Sequence, residues 1–234
     1  MSKILMVLSG ADTLELADGS THPTGYWAEE VAASHQVLTS AGVDVVIATP
    51  GGVRPTVDAL SLSERGGVAP AEAERHRAYL DGIADRLDAP LALADVHTAD
   101  YDAIYLPGGH APMADLAQDA DLGRLLGEFA AQDKVVAALC HGVAGLLSAR
   151  TADGGFAFAG RSLTSFTDEE ERQGGLGENT PYFVESRLRE RGAVVETGPA
   201  WSDTVITDGT LVTGQNPQSS TSTAQAVLKA VADR

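Results

Sequence analysis

The chain has a single cysteine, few basic side chains and no long apolar run, and each shortage removes a class of function. One cysteine forms no intrachain disulfide, so Cys140 is a free thiol that fits a reducing compartment and needs its own explanation. Sixteen Lys and Arg against thirty-three Asp and Glu give a formal net charge of −17 over 234 residues. That field repels a phosphate backbone, so no nucleic-acid partner is expected. No apolar stretch reaches the length of a membrane span, and Met-Ser-Lys followed by ILMVLSG is too short and too soon broken for a secretory signal. A cytoplasmic protein with no membrane partner is expected. There is no internal repeat, and the length suits one domain over residues 1–234.

Four aliphatic runs mark buried parallel strands: Ile4–Ser9, Ala41–Pro50, Tyr101–Leu106 and Val135–Leu139. Helical or partly helical connections separate them, which predicts an α/β doubly wound, mostly parallel sheet sandwiched by helices. Residues from about 51 to 95 exceed what a minimal βαβ repeat needs. Their loops and the charged helix beginning after Pro70 carry too few large apolar residues for a separate core, so they read as a small helical insertion over the site edge. His76, among arginines and carboxylates on that helix, reads as solvated. Gly10–Trp27 reads as loop leading into a helix that runs to about Ala41, Thr151–Gly160 has hairpin character, and Leu116–Gln132, Pro181–Arg191 and about Ser219–Ala232 read as helices. An Asp-Gly turn at Asp208 and Gly209 predicts a hairpin.

The chain is organised around VVAALCHGVAGLL, where the fourth strand runs into Cys140, His141 and Gly142 with no room for a loop. This is a nucleophile elbow, a strained strand-to-helix turn that stands a reactive side chain clear of the sheet. A thiol at a helix N-terminus feels the positive end of the macrodipole, which favours thiolate. Gly108 and Gly109 follow the preceding strand, where paired glycines let backbone N–H groups approach an oxyanion. The amides of Gly109 and His141 are the expected donors.

Helical phase turns Glu30 inward with Trp27, Val31, Ser34, Val37, Leu38 and Ala41, and turns Glu29 about a hundred degrees away toward solvent. An inward carboxylate in a first turn either caps its own helix or converges with Cys140 at the carboxyl edge of the sheet. Asp168 to Glu171 form an acidic run after a short apolar segment, so one of them can reach that edge.

AALCHG, PGGH, the inward Glu30 and LVTGQNPQSS together resemble the ThiJ/PfpI superfamily, which implies a flavodoxin-like fold. PTGYWAEE, the helical insertion and SFTDEEE are similar to its glutathione-independent glyoxalase III branch, also described as chaperone-like or as D-lactate dehydratase. The resemblance implies catalytic roles for Cys140, His141, Glu30 and a third acid at Glu171, with Asp168 and Glu170 as alternatives. It places Gly108, Gly109, His110, Gly25 and Tyr26 around the oxyanion or substrate. It implies a 2-oxoaldehyde substrate such as methylglyoxal, no cofactor, no metal and a homodimer. Class I glutamine amidotransferases share the elbow, but no later His-x-Glu pair lies near this C-terminus. The alternatives are a redox-sensing or chaperone-like protein with an oxidisable cysteine, and a cysteine hydrolase or peptidase.

Overall fold

The structure is a computed structural model that describes residues 2–234. The chain runs β1 (Lys3–Val7), β2 (Thr13–Glu15), β3 (Thr21–Pro23), α1 (Ala28–Ser40), β4 (Asp44–Thr49), α2 (Pro70–Gly82), α3 (Ala84–Asp88), β5 (Leu91–Ala92), β6 (Ala103–Leu106), α4 (Ala120–Ala131) and β7 (Val135–Leu139). It continues through β8 (Ser162–Leu163), α5 (Asp168–Gly174), α6 (Val184–Glu190), β9 (Val194–Val195), β10 (Val205–Asp208), β11 (Leu211–Gly214) and α7 (Ser220–Ala232). Short 3-10 turns join many of these.

Seven strands form the central sheet in the order β10-β11-β7-β6-β1-β4-β5. All neighbours are parallel except β10 and β11, the antiparallel hairpin that turns at Asp208 and Gly209. The aliphatic runs explain this burial. In β1, Leu5 and Val7 face one side and Ile4 and Met6 the other, so an unbroken apolar run serves two cores at once. One core packs under α4 and α6 with Leu122, Leu125, Phe129 and Leu188; the other packs under α1, α2 and α7 with Val31, Leu38, Leu80 and Val227. Each such large side chain contributes about 1.5–3 kcal/mol on burial.

Several boundaries differ from the sequence reading, for local reasons. Residues 10–27 hold the β2–β3 hairpin, and α1 starts only at Ala28. α4 starts at Ala120 because the Asp119 side chain accepts the Leu122 N–H at 2.7 Å and so caps the helix there; Leu116–Gln118 is a separate 3-10 turn. Residues 151–160 keep only a single antiparallel bridge, Arg150 to Phe156. The insertion ends in β5, which joins the edge of the main sheet beside β4. His76 is half-buried rather than solvated, with its Nδ1 unpartnered. Among the described residues no helix is long and apolar enough to cross a membrane.

Strand order reverses between β1 and β6, where the chain turns from building one half of the sheet to building the other. In open α/β sheets the crevice at such a point, at the carboxyl ends of the strands, is where ligands sit. Three segments enter it here: the N-terminus of α1, the Pro107–Gly109 turn after β6, and Cys140 after β7.

Candidate active site

Cys140 has φ 57°, a left-handed backbone that costs a non-glycine residue about 1–2 kcal/mol. Packing holds it there. The turns after β6 and β7 touch backbone to backbone, so a Cβ on Gly108 would stand 2.8 Å from the His141 and Gly142 amides, and one on Gly142 would collide with the Leu106 carbonyl. Gly109, at φ 93°, packs equally closely on the Gly25 carbonyl. The element leaving the elbow is a 3-10 turn over Cys140–Ser148 rather than an α-helix, buried as far as Leu147.

The thiol is not the activated thiolate that its position suggested. Burial, and then the Glu30 carboxylate, push it well above the ordinary range, against a smaller downward pull from the His141 N–H. Glu30 is fully buried, and its Oε2 accepts the Gly108 N–H at 2.6 Å, so the carboxylate bonds to another element instead of capping its own helix. Its Oε1 has no hydrogen-bond partner of ordinary geometry. Burial pushes Glu30 up to about 8, against lowering by the Gly108 N–H and the Cys140 thiol. At neutral pH Glu30 is therefore a carboxylic acid, and its proton belongs on Oε1, the oxygen that Gly108 leaves free. Once Glu30 is protonated, the carboxylate's share of the upward shift on Cys140 disappears. At neutral pH the pair therefore carries no charge, and the first ionisation of either group hinders that of the other.

On the other side of the sulfur, Cys140 Sγ lies 3.4 Å from His141 Nδ1, and His141 Nε2 lies 2.7 Å from Glu171 Oε2. A carboxylate accepts, so Nε2 carries the hydrogen and Nδ1 presents its lone pair to the thiol. Burial and the neighbouring His110 push His141 down to about 4, which keeps the imidazole neutral at pH 7 and able to accept a proton. Burial raises Glu171, but hydrogen bonds from His110 and His141 outweigh it and hold the carboxyl far below the usual range. Its Oε1 also accepts the Leu176 N–H at 2.5 Å. The result is an oriented relay of acid, imidazole and thiol.

Of the three acids left open by the sequence, Glu171 is the one that meets His141. Asp168 accepts from Ser186 on α6, at 2.5 Å from its hydroxyl. Glu170 is a structural hub: one oxygen accepts from the Thr167 N–H and hydroxyl, and the other from the Trp201 N–H, Gln215 and Asn216. Glu170→Ala would leave these buried donors unpaired, and should lower stability by about 3–5 kcal/mol in urea unfolding, whereas Asp168→Ala should cost far less. Equal losses would mean that the hub is not what anchors this region.

The other expected site residues divide. The Gly108 N–H is spent on Glu30 and cannot serve an oxyanion, and the His141 N–H is directed at the sulfur itself. The Gly109 N–H donates to no acceptor among the described residues. His110 reaches the site, with Nε2 3.2 Å from Glu171 Oε1 and its ring 4.0 Å from that of His141. Gly25 and Tyr26 lie outside the pocket: Tyr26 bridges to Val57 of the insertion, and both of its backbone groups are bonded there. Glu29 is half-buried, not solvated, and burial together with Glu72 pushes it up to about 7.

Cys140 opens into a narrow pocket with about 50 Å³ of free space, walled by His110, His141, Trp27, Phe166 and Trp201 and, from the insertion, by Gly66. Of the three aromatic walls, Trp27 falls in PTGYWAEE and Phe166 in SFTDEEE, and only Trp201 belongs to no motif. His110, His141 and Glu171 offer ligand atoms within 4.8 Å of one another, a nitrogen and oxygen set suited to a zinc-like ion, but here the Nε2 of each imidazole is engaged by Glu171.

Residues 24–230 match the DJ-1/PfpI family. The chain belongs to that family. The chain is 30% identical over 191 residues to a Bos taurus protein named glutamine amidotransferase-like class 1 domain-containing protein 1, covering 82% of each. It is 38% identical over 139 residues to the glutathione-independent glyoxalase HSP31 of Saccharomyces cerevisiae, a match that spans 56% of this chain and 57% of that protein. The crystal structure of glyoxalase III from Candida albicans superimposes with a TM-score of 0.82 at 25% identity, covering 98% of this chain and 97% of the other. The family's flavodoxin-like sandwich is the fold seen here.

Proposed function

We propose that this protein is a glutathione-independent glyoxalase that converts methylglyoxal or a similar 2-oxoaldehyde to the 2-hydroxy acid. The observation that carries the reading is the placement of the Cys140 sulfur between a neutral base, His141 backed by Glu171, and a carboxylic acid, Glu30, in a pocket of three-carbon dimensions. The likeness to proteins named as glyoxalases supports it.

His141 Nδ1 takes the thiol proton, and the thiolate adds to the aldehyde carbon while Glu30 protonates the resulting oxyanion, giving a hemithioacetal. The Glu30 carboxylate then removes the hydrogen on that carbon as the His141 imidazolium protonates the keto oxygen, giving an enediol. Glu30 returns its proton to the second carbon, His141 takes the hydroxyl proton of the first, and a thioester is left on Cys140. Water hydrolyses it, with Glu30 accepting the water proton and His141 restoring the thiol. The aldehyde carbon is oxidised and the keto carbon is reduced by the same electron pair, so no outside oxidant is consumed. Glu30, at about 8, sits where a group that gives and takes protons near neutrality should be.

The near-complete burial of Cys140 favours this reading over that of a redox sensor, whose cysteine must meet oxidant from solvent. Purified protein given methylglyoxal without glutathione and with a chelator should yield one lactate per molecule consumed. Consumption without lactate, with methylglyoxal left attached to the protein, would overturn the proposal. We also propose a homodimer, which light scattering at micromolar concentration checks.

A further inference from the structure

Trp201 has φ 62°, one of three positive values among the described non-glycine residues, and like Cys140 it lines the pocket. A strained backbone persists where its surroundings over-determine it, and the surroundings here are specific. The Trp201 N–H donates to Glu170 Oε1 at 2.7 Å, and its indole Nε1–H donates to Gln173 Oε1 at 2.7 Å. The indole meets Phe166 edge-on at 5.5 Å and lies so close over Gly174 that a Cβ there would stand 2.9 Å from the ring. Both acceptors lie on α5, the helix that supplies Glu171 to His141. Yet the residue is 37% exposed. It is a partition with the pocket on one side and solvent on the other, and no step of the chemistry uses it.

The space behind that partition is small. About 50 Å³ corresponds to roughly three or four water-sized positions, enough for a three-carbon dicarbonyl and too little for an aromatic ring. We infer that Trp201 is the residue that sets substrate size: it restricts the site to 2-oxoaldehydes with a short alkyl group, and α5 fixes the limit by holding the indole and the triad acid on one rigid element. This rests on the glyoxalase reading for its substrate class, though not for its geometry. A hydrophobic wall discriminates by the volume it denies, and removing it leaves the reacting groups in place.

Trp201→Gly is the decisive variant, because glycine takes a φ of 62° without strain and removes only the wall. Two measurements keep the inference apart from the reaction. Cys140 is the sole cysteine, so its alkylation by iodoacetamide and by N-phenylmaleimide, followed by intact mass, reads pocket size without turnover. In Trp201→Gly the rate ratio of the bulky to the small reagent should rise at least tenfold, and kcat/KM for phenylglyoxal relative to methylglyoxal should rise by a similar factor. Gln173→Leu, which frees the indole but keeps it, should shift both ratios in the same direction by less. If the glyoxalase reading fails, neither aldehyde turns over but the alkylation ratio still rises. An unchanged alkylation ratio, or equal acceleration of both reagents, overturns the inference. Should the glycine variant not fold, Trp201→Asn, which also tolerates this backbone, carries the same test with the same two outcomes.

Discussion

Cys140→Ala should abolish lactate formation, lowering turnover at least about ten-thousandfold, because no other group near the pocket can carry the acyl intermediate. The fold should survive. Alanine keeps the Cβ and removes one buried sulfur, at a cost of about 1–2 kcal/mol, and the left-handed backbone at this position is held by the Gly108 and Gly142 contacts whatever the side chain. Circular dichroism and a thermal melt should therefore overlay closely with those of the wild type. Retention of more than about a hundredth of wild-type activity would mean that Glu30 and His141 isomerise the dicarbonyl without a covalent intermediate, and the proposed chemistry would be wrong at its first step.

Glu30→Gln should lower turnover by about a hundredfold or more, the usual worth of a positioned acid or base. Glutamine keeps an acceptor for the Gly108 N–H at nearly the same volume, so the loss isolates the proton. The pH profile makes the test sharper. Wild-type kcat/KM should fall as pH drops through about 4, where His141 takes a proton, and fall again as pH rises through about 8, where Glu30 loses the proton it must donate. The upper limb should be missing from the Gln variant. Stability follows the same group with a definite sign: the folded protein favours protonated Glu30, so its contribution is full below about 4.5 and is lost as pH rises through about 8. Above pH 8 the Gln variant should therefore be the more stable of the two. Glu29→Gln should change turnover little near neutrality, but because Glu29 raises Glu30, it should move the upper limb to lower pH. Equal losses in the two variants would place the chemistry elsewhere.

The fold was legible in the sequence because strands buried on both faces must be unbroken aliphatic runs, and ILMV, AIYL and VVAAL have no other use. Cys140 and His141 were legible because polar groups at the end of such a strand demand polar company, and Glu30 because helical phase is local. Phase failed for Glu29, since it gives direction but not cover, and α2 lies over a face that an isolated helix would leave wet. The 3-10 form of the elbow turn was hidden for a similar reason: its backbone is set by contact with the turn after β6. Glu171 was chosen over Glu170 by family pattern, and only the folded chain shows why, with one acid turned to His141 and its neighbour turned to Trp201 and Asn216. Trp201 had no local signal at all, because what makes it a wall lies some thirty residues earlier, on α5.

The place of β1 in the middle of the sheet also bears on how the chain is made. Met6 pairs with Tyr105 and Val136 with Leu211, so β1 lacks one neighbour until residues 103–106 emerge from the ribosome, and β7 lacks one until residues 211–214 do. Such distant pairings close late and slowly compared with helical hairpins. During that interval Ile4–Leu8 and Val135–Leu139, the most apolar segments of the protein, are strands with an open edge, and the pocket cannot exist. The nascent chain is thus at its most adhesive before Trp201 and Pro217 have arrived to finish the walls around its cysteine.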